Sequence, residues 1–329
     1  MTEQTPLVEP PKKRGRLIAL IFGAAIVVIA LVIALPFVFS PATDSTDTAG
    51  GSEGEGEAGT EAIAEGLGSE SDPVQIGVVG ASDPYWDLYV EAAAAEGISV
   101  ELVDFTDYAQ PNPALSEGDL DLNQFQHIIY LAQYNTSAGD DLTPIGSTAI
   151  YPLSLYSTQY DSVEDIPDGA TVAVPNDASN LARGLLVLQA AGLIELADGG
   201  SPFSTIDDVE ESSRVEVTTL EAALTPNSLP DVAAAIINND FVEDAGLSFD
   251  DALASDDPAD PSAQPYINIF AARADDADDE VLNRLVEIFQ NSTEVTDGLI
   301  EVSGGTAGLV TTPVAELQDA LATVESEIE

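Results

Sequence analysis

Cysteine is absent from all 329 residues, and histidine, tryptophan and methionine occur once each. Without a thiol the chain has no disulfide, thiolate metal site or cysteine nucleophile, and thiol chemistry says nothing about its compartment. His127 stands alone, so no cluster of histidine metal ligands exists. Cations are scarce as well: Lys+Arg number 8 against Asp+Glu 59, for a formal net charge of −51. So acidic a body repels nucleic acid and anionic headgroups, which excludes binding either through its surface. The same excess places carboxylate pairs everywhere, so pairing by itself is no sign of acid–base catalysis. No Walker motif occurs, and the G-x-S-x-G and G-x-G-x-x-G patterns at Gly50–Gly54 and Gly54–Gly59 fall in a small, acidic stretch with neither the strand before nor the helix after that such motifs need. Asp119, Asp121 and Asn123 copy the opening of a calcium loop. Gln124 replaces the glycine that loop needs, and Tyr130 stands where its bidentate glutamate belongs. Nothing here specifies an enzyme, a metal site or a cofactor.

What is present is 45% hydrophobic, enough for a globular core. Four of the eight cations, Lys12, Lys13, Arg14 and Arg16, lie just before Leu17, from which an uncharged apolar run extends to Phe39. About 20 apolar residues cross a bilayer as a helix. The basic flank then assigns 1–16 to the cytoplasm and everything after residue 39 to the outside. A cleaved signal peptide is the alternative, but its apolar region is usually only about 7–15 residues, which favours a retained anchor. Residues 40–72 are small, polar and acidic, without an aromatic or a cation, and read as a disordered linker. The expected location is the cell membrane, single-pass, with the body on the extracytoplasmic side.

From Pro73 onward strands and helices alternate. Val74–Val79, Ile98–Phe105, Leu120–Phe125, Thr171–Val174, Arg214–Leu220, Val232–Ile237 and Tyr266–Ala271 read as strands, and Ile145–Tyr156 as extended. Helices are expected at 84–96, from 128, and at 181–191, 279–290 and 313–327. Alternation of this kind implies mostly parallel sheets with right-handed crossovers, an α/β fold. The length is generous for one sheet and suits two lobes.

The most informative stretch is Pro175–Gly184, PNDASNLARG, between a strand and a helix. In α/β proteins ligands sit at the carboxyl ends of strands, against helix N-termini. Asp177, Ser179 or Asn180 can cap this helix, which puts Arg183 in its first turn, where a cation opposes the helix dipole. A local rule broken without structural gain marks a candidate site. Other strands end similarly: Tyr108 after the second, Asn123, Phe125, His127 and Tyr130 around the third, Asn238 and Asn239 after 232–237. This inventory suits a zwitterion with a soft apolar tail. Arg183 grips a carboxylate bidentately, asparagines serve either charged end, and aromatic rings wall the tail.

Four stretches carry a family resemblance: GDLDLNQFQHIIYL (118–131), TVAVPNDASNLARGLLVLQAAGLIEL (171–196), VAAAIIN (232–238) and QPYINIFAAR (264–273). In this order, within about residues 73–305, they resemble the methionine-binding lipoproteins of ABC importers, the NlpA lipoprotein family. The resemblance implies a two-lobed periplasmic-binding-protein-like fold, with 73–153 and 264–329 in lobe 1 and 154–263 in lobe 2. It also implies a ligand site lined by Tyr108, Asn123, Phe125, His127, Tyr130, Tyr151, Asn180, Arg183 and Asn238. L-methionine is the implied ligand, and the partners are an ABC permease and its ATPase. D-methionine, another apolar amino acid or a short methionine-containing peptide are alternatives; a sensory receptor and an exported hydrolase rank lower. Two departures fall near the site: Ile128-Ile129 where relatives carry Lys-Pro, and Asn239-Asp240-Phe241 where they often carry Tyr-Ala. Family members usually have a lipobox cysteine; here the apolar run at 17–39 takes the anchoring role.

Overall fold

A computed structural model describes residues 62–243 and 245–328. The basic tail, the apolar run at 17–39 and residues 40–61 of the acidic linker lie outside the described residues; the last part of that linker is described, and there Ile63 and Leu67 pack against the apolar core. Among the described residues no helix is long and apolar enough to cross a membrane.

The strands are β1 (Val74–Val79), β2 (Val100–Phe105), β3 (Leu122–His127), β4 (Thr143–Ser147), β5 (Ala149–Ile150), β6 (Ser154–Tyr156), β7 (Thr171–Pro175), β8 (Glu216–Leu220), β9 (Ala234–Ile237), β10 (Ala254–Ser255), β11 (Asn268–Ala272) and β12 (Gly308–Leu309). The α-helices are α1 (Pro84–Ala95), α2 (Pro111–Glu117), α3 (Ile128–Ala138), α4 (Ala178–Ala190), α5 (Thr225–Ser228), α6 (Glu280–Asn291), α7 (Thr293–Val302) and α8 (Val314–Ile328).

Two five-stranded sheets form, in the orders β2-β1-β3-β11-β4 and β10-β6-β9-β7-β8. Both are mixed, which corrects the expectation of mostly parallel sheets. In the first, β1 pairs parallel with β2 and β3, while β11 runs antiparallel to both β3 and β4. In the second, β7 is parallel to β8 and β9, but β6 is antiparallel to β9 and β10. The reason is the path of the chain. It leaves the first sheet after β4, builds the second, and returns as β11 without a βαβ crossover to align it. The expected extended run at 145–156 is accordingly three short strands in three separate sheets.

Each sheet has apolar cover on both faces. On one face of the first, Trp86 and Tyr89 of α1 meet Phe270 of β11 and Phe289 of α6, with ring centroids 5.3–6.2 Å apart among these four. Edge-on and tilted packing suits the aromatic quadrupoles. Gly146 lets α6 approach β4: a Cβ there would come within 2.1 Å of Val286 Cγ1. The opposite face is covered by α3 and α8 through Leu131, Ala132, Leu317 and Leu321, all buried. In the second sheet Leu185 and Leu188 of α4 lie against Val172, Val174 and Ile236, and α5 lies across from them near Ala235 and Ile237. The helix α7, which its sequence does not announce, buries Val295 and Leu299 beside α1.

Candidate ligand cavity

Sequence and structure differ most usefully at β3. The strand runs two residues later than expected, so Gln124, Gln126 and His127 lie inside it and are buried. Polar groups in a central strand need partners, and these have them. Asn112 Oδ1 accepts from Asn123 Nδ2 (2.9 Å) and Gln126 Nε2 (2.6 Å), while Asn112 Nδ2 donates to Gln126 Oε1 (2.7 Å). His127 ends β3 and caps α3, its Nδ1 accepting from the Tyr130 backbone N–H at 3.2 Å. That bond fixes the neutral tautomer with its proton on Nε2. Burial, with the Arg183 guanidinium nearby, pushes the His127 pKa down to about 3.

Helix α4 begins at Ala178 with Asp177 as its N-cap, its carboxylate accepting from the Asn180 backbone N–H at 2.9 Å. Arg183 is therefore in the second turn, not the first, and the argument from a cation opposing the dipole loses its force, because that effect fades within one turn. Arg183 is nevertheless 95% buried, at 5% exposure. Its Nε donates to Asp256 Oδ2 (2.6 Å), and its Nη2 to Asp256 Oδ1 (3.1 Å) and to the Tyr151 carbonyl (2.7 Å). The guanidinium carbon stands 4.2 Å from the Tyr266 ring centroid. Its bidentate edge thus belongs to an internal carboxylate, a correction to the expectation that a ligand takes it. Nη1 is the nitrogen left without a protein partner among the described residues.

A cavity lies where the ends of the two sheets meet. Tyr108, Phe125, His127, Tyr130, Tyr151, Asn180, Arg183 and Asn238 all line it. Asn123 does not: fully buried, it holds Asn112 and Gln126 behind the cavity wall. Gln126, Pro152, Leu153, Asn239, Asp240 and Asn268 also reach the lining. Of these, Gln126 and Asn239 lie among the polar residues at strand ends, and Asn239 with Asp240 also falls in a departure from the family pattern. Asp256, which holds Arg183, gave no local signal in a chain so rich in carboxylates.

The two sides of the cavity differ in chemistry. From the first sheet come Tyr108, Phe125 and Tyr130, their ring centroids 5.7–6.3 Å apart, with Tyr130 Oη donating to the Tyr108 carbonyl at 2.9 Å. From the second come Asn180, Arg183, Asn238, Asn239 and Asp240. Tyr108 Oη bridges the sides by donating to Asp240 Oδ2 at 2.6 Å. Asp240 is exposed at the rim, yet desolvation of its carboxyl by the surrounding side chains pushes it up to about 6 against the lowering effect of the Tyr108 bond. Asn238 Nδ2 donates to Asn180 Oδ1 at 3.0 Å, and the Oδ1 atoms of Asn238 and Asn239 are buried without partners among the described residues. Among the described residues no group of three or more histidine, aspartate or glutamate side chains is arranged to hold a metal ion.

Two mixed sheets with a partly open, half-polar cavity at their meeting edge describe a binding fold in which a small molecule is held between two bodies. Residues 74–307 match the NlpA lipoprotein family, and the chain belongs to it. The probable D-methionine-binding lipoprotein MetQ of Pasteurella multocida is 40% identical over 63% of this chain and 75% of its own length. The D-methionine-binding lipoprotein MetQ of Escherichia coli K12 is 39% identical over 72% of this chain and 89% of its own. Among solved structures, a nutrient-binding protein from Burkholderia cenocepacia bound to methionine is 36% identical, with a TM-score of 0.67, over 72% of this chain and 99% of its own. These neighbours support a two-lobed, periplasmic-binding-protein-like fold of mixed α/β type.

Proposed function

We propose that this chain is the extracytoplasmic substrate-binding protein of an ABC importer and that its cavity holds methionine for delivery to a permease and its ATPase. The observation that carries the reading is the division of one cavity into an aromatic side and a side bearing a guanidinium and carboxamides. An α-amino acid with an unbranched apolar tail fits both: its polar end meets Arg183, Asn180 and Asn238, and its thioether lies among Tyr108, Phe125 and Tyr130. Sulfur gains roughly 0.3–1.5 kcal/mol from such a ring contact. The relatives named for methionine support the choice of tail.

Lobe 1 is assigned to 73–153 and 264–329, and lobe 2 to 154–263. Support comes from strand membership: β1–β4 and β11 fall in the first range, β6–β10 in the second. Closure of the lobes on the ligand is a hinge motion. The uncharged run at 17–39 is assigned as the membrane anchor, on its length and its basic flank.

Thermal unfolding of the purified full-length chain with L- and D-methionine tests the reading. Ligand at about 100 times its Kd adds roughly 2.7 kcal/mol to the folded state and raises Tm. The enantiomer giving the larger rise at equal concentration is the preferred one. No rise with either, beside a clear rise with a solute that is not an amino acid, would overturn it.

A further inference from the structure

Asp177 touches the cavity only through other residues, but its position is unusual for a helix cap. Beyond the backbone N–H of Asn180, its carboxylate takes the Asn180 side chain, whose Nδ2 donates to Oδ1 at 3.0 Å and to Oδ2 at 3.1 Å. The Ser179 hydroxyl donates to Oδ1 as well, at 3.0 Å. Asn180 is 2% exposed, and its own Oδ1 accepts from Asn238 Nδ2 at 3.0 Å. Asn238 lines the cavity, and its Oδ1 is buried without a partner among the described residues.

A carboxamide has a donor end and an acceptor end of almost equal shape, and its neighbours decide which way it turns. A carboxylate only accepts. Asp177 therefore obliges Asn180 to turn its NH2 inward and its oxygen outward. Asn238 must then offer its NH2 to that oxygen, and the oxygen of Asn238 is the end that remains. The three side chains form a directed line, Asp177 to Asn180 to Asn238, in which each bond polarises the next. Beside its end lie two more acceptors, the unpartnered Asn239 Oδ1 and the Asp240 carboxylate.

We propose that Asp177 is a positioning residue that sets the polarity of this amide line, so that the cavity presents acceptors to one end of its ligand and selects a free ammonium group. The proposal rests on the reading of the ligand as an α-amino acid and adds the device by which its nitrogen is recognised. A cap at this position needs no carboxylate, since serine or asparagine would cap equally well. The charge serves the line instead.

The Asp177→Asn variant keeps the cap but places an amide hydrogen where Oδ2 stood, 3.1 Å from Asn180 Nδ2. Two donors would then face each other, which favours turning Asn180 and Asn238 over and bringing an NH2 to the cavity. Titration calorimetry of the full-length chain, alone and with Asn238→Ala, measures the consequence on two probes. One is methionine; the other is 4-(methylthio)butanoate, which has the same tail and carboxylate and no ammonium. Asp177→Asn should weaken methionine by at least about ten-fold and leave the deamino probe within about two-fold. In the Asn238→Ala background the same change should have no further effect on methionine, because the line no longer ends in the cavity. An unchanged Tm shows that the cap survives. An equal loss in both backgrounds would mean that Asp177 acts through space by its charge, and overturns the line, as does no loss at all. Binding of a different amino acid in place of methionine overturns only the choice of tail, and the cycle is then run with that amino acid and its deamino analogue. Failure to bind any of the twenty amino acids overturns both.

Discussion

The two sides of the cavity are built by opposite means. The side from the first sheet is neutral and stacked: Tyr108, Phe125 and Tyr130 hold one another by their faces and edges, and His127, its pKa near 3, carries no charge. The side from the second sheet is charged and strung together by hydrogen bonds, Asp177 to Asn180 to Asn238 in one line and Asp256 to Arg183 in another. Rings keep their shape through packing, whichever molecule lies beside them. Hydrogen-bonded side chains keep theirs only while every partner is in place, so single changes on the second side should cost more.

The largest effect is expected at Asp256. It supplies both oxygens of the fork on Arg183 and accepts from the Leu153 backbone N–H at 2.8 Å. Asp256→Ala leaves a buried guanidinium with only the Tyr151 carbonyl and the Tyr266 ring. Removing one partner of a buried pair costs about 3–5 kcal/mol, and the lower end applies because Asp256 is itself 26% exposed. Urea unfolding should show the loss, and a variant as stable as the parent would mean that the pair is not a structural support. For the same reason Arg183→Ala is expected to destabilise the fold, because it leaves the Asp256 carboxylate without the guanidinium it pairs with.

How much of this was legible beforehand divides along the same line. Strand β1, helix α1 and the ends of α6 and α8 follow from apolar periodicity, Pro84 after Asp83, and glycine stops, all of which act within a few residues. The aromatic residues of the first side lie within about twenty positions of one another and could be grouped from their strand ends. The partner of Arg183 lies 73 positions away. It is one carboxylate among Asp+Glu 59, and no local pattern marks it. Sheet direction was hidden for a similar reason, since β11 owes its orientation to the return of the chain from the second sheet. Asn123 was misplaced because β3 begins at Leu122, which turns the residue into the wall behind the cavity.

A smaller effect is expected on the aromatic side. Phe125→Leu keeps apolar volume and removes the ring between Tyr108 and Tyr130. If a thioether lies there, methionine should lose about 0.3–1.5 kcal/mol, at most roughly ten-fold in Kd, and norleucine, which has a methylene in place of sulfur, should lose less. Calorimetry with both ligands makes the comparison. Equal losses would assign the side to apolar burial alone; a larger loss for norleucine would place the ligand tail elsewhere.

The smallest effect falls where the two sides touch. Tyr108 Oη donates to Asp240 at 2.6 Å, and desolvation holds the carboxyl near 6 against a reference of 3.8. A carboxyl whose pKa is raised in the folded state binds protons more tightly there than in the unfolded chain. Its contribution to stability is therefore fully present below about pH 3.8 and is lost as pH rises through 6. Asp240→Asn cannot titrate, so the Tm of the wild-type chain minus that of the variant should fall between pH 4 and 7 and level off above. Tyr108→Phe removes the hydroxyl that lowers this pKa, and should shift the fall to higher pH. A difference flat across the range would show that Asp240 is hydrated as freely as any surface carboxylate, and the contact between the sides would then be a hydrogen bond at the rim with no desolvated charge behind it.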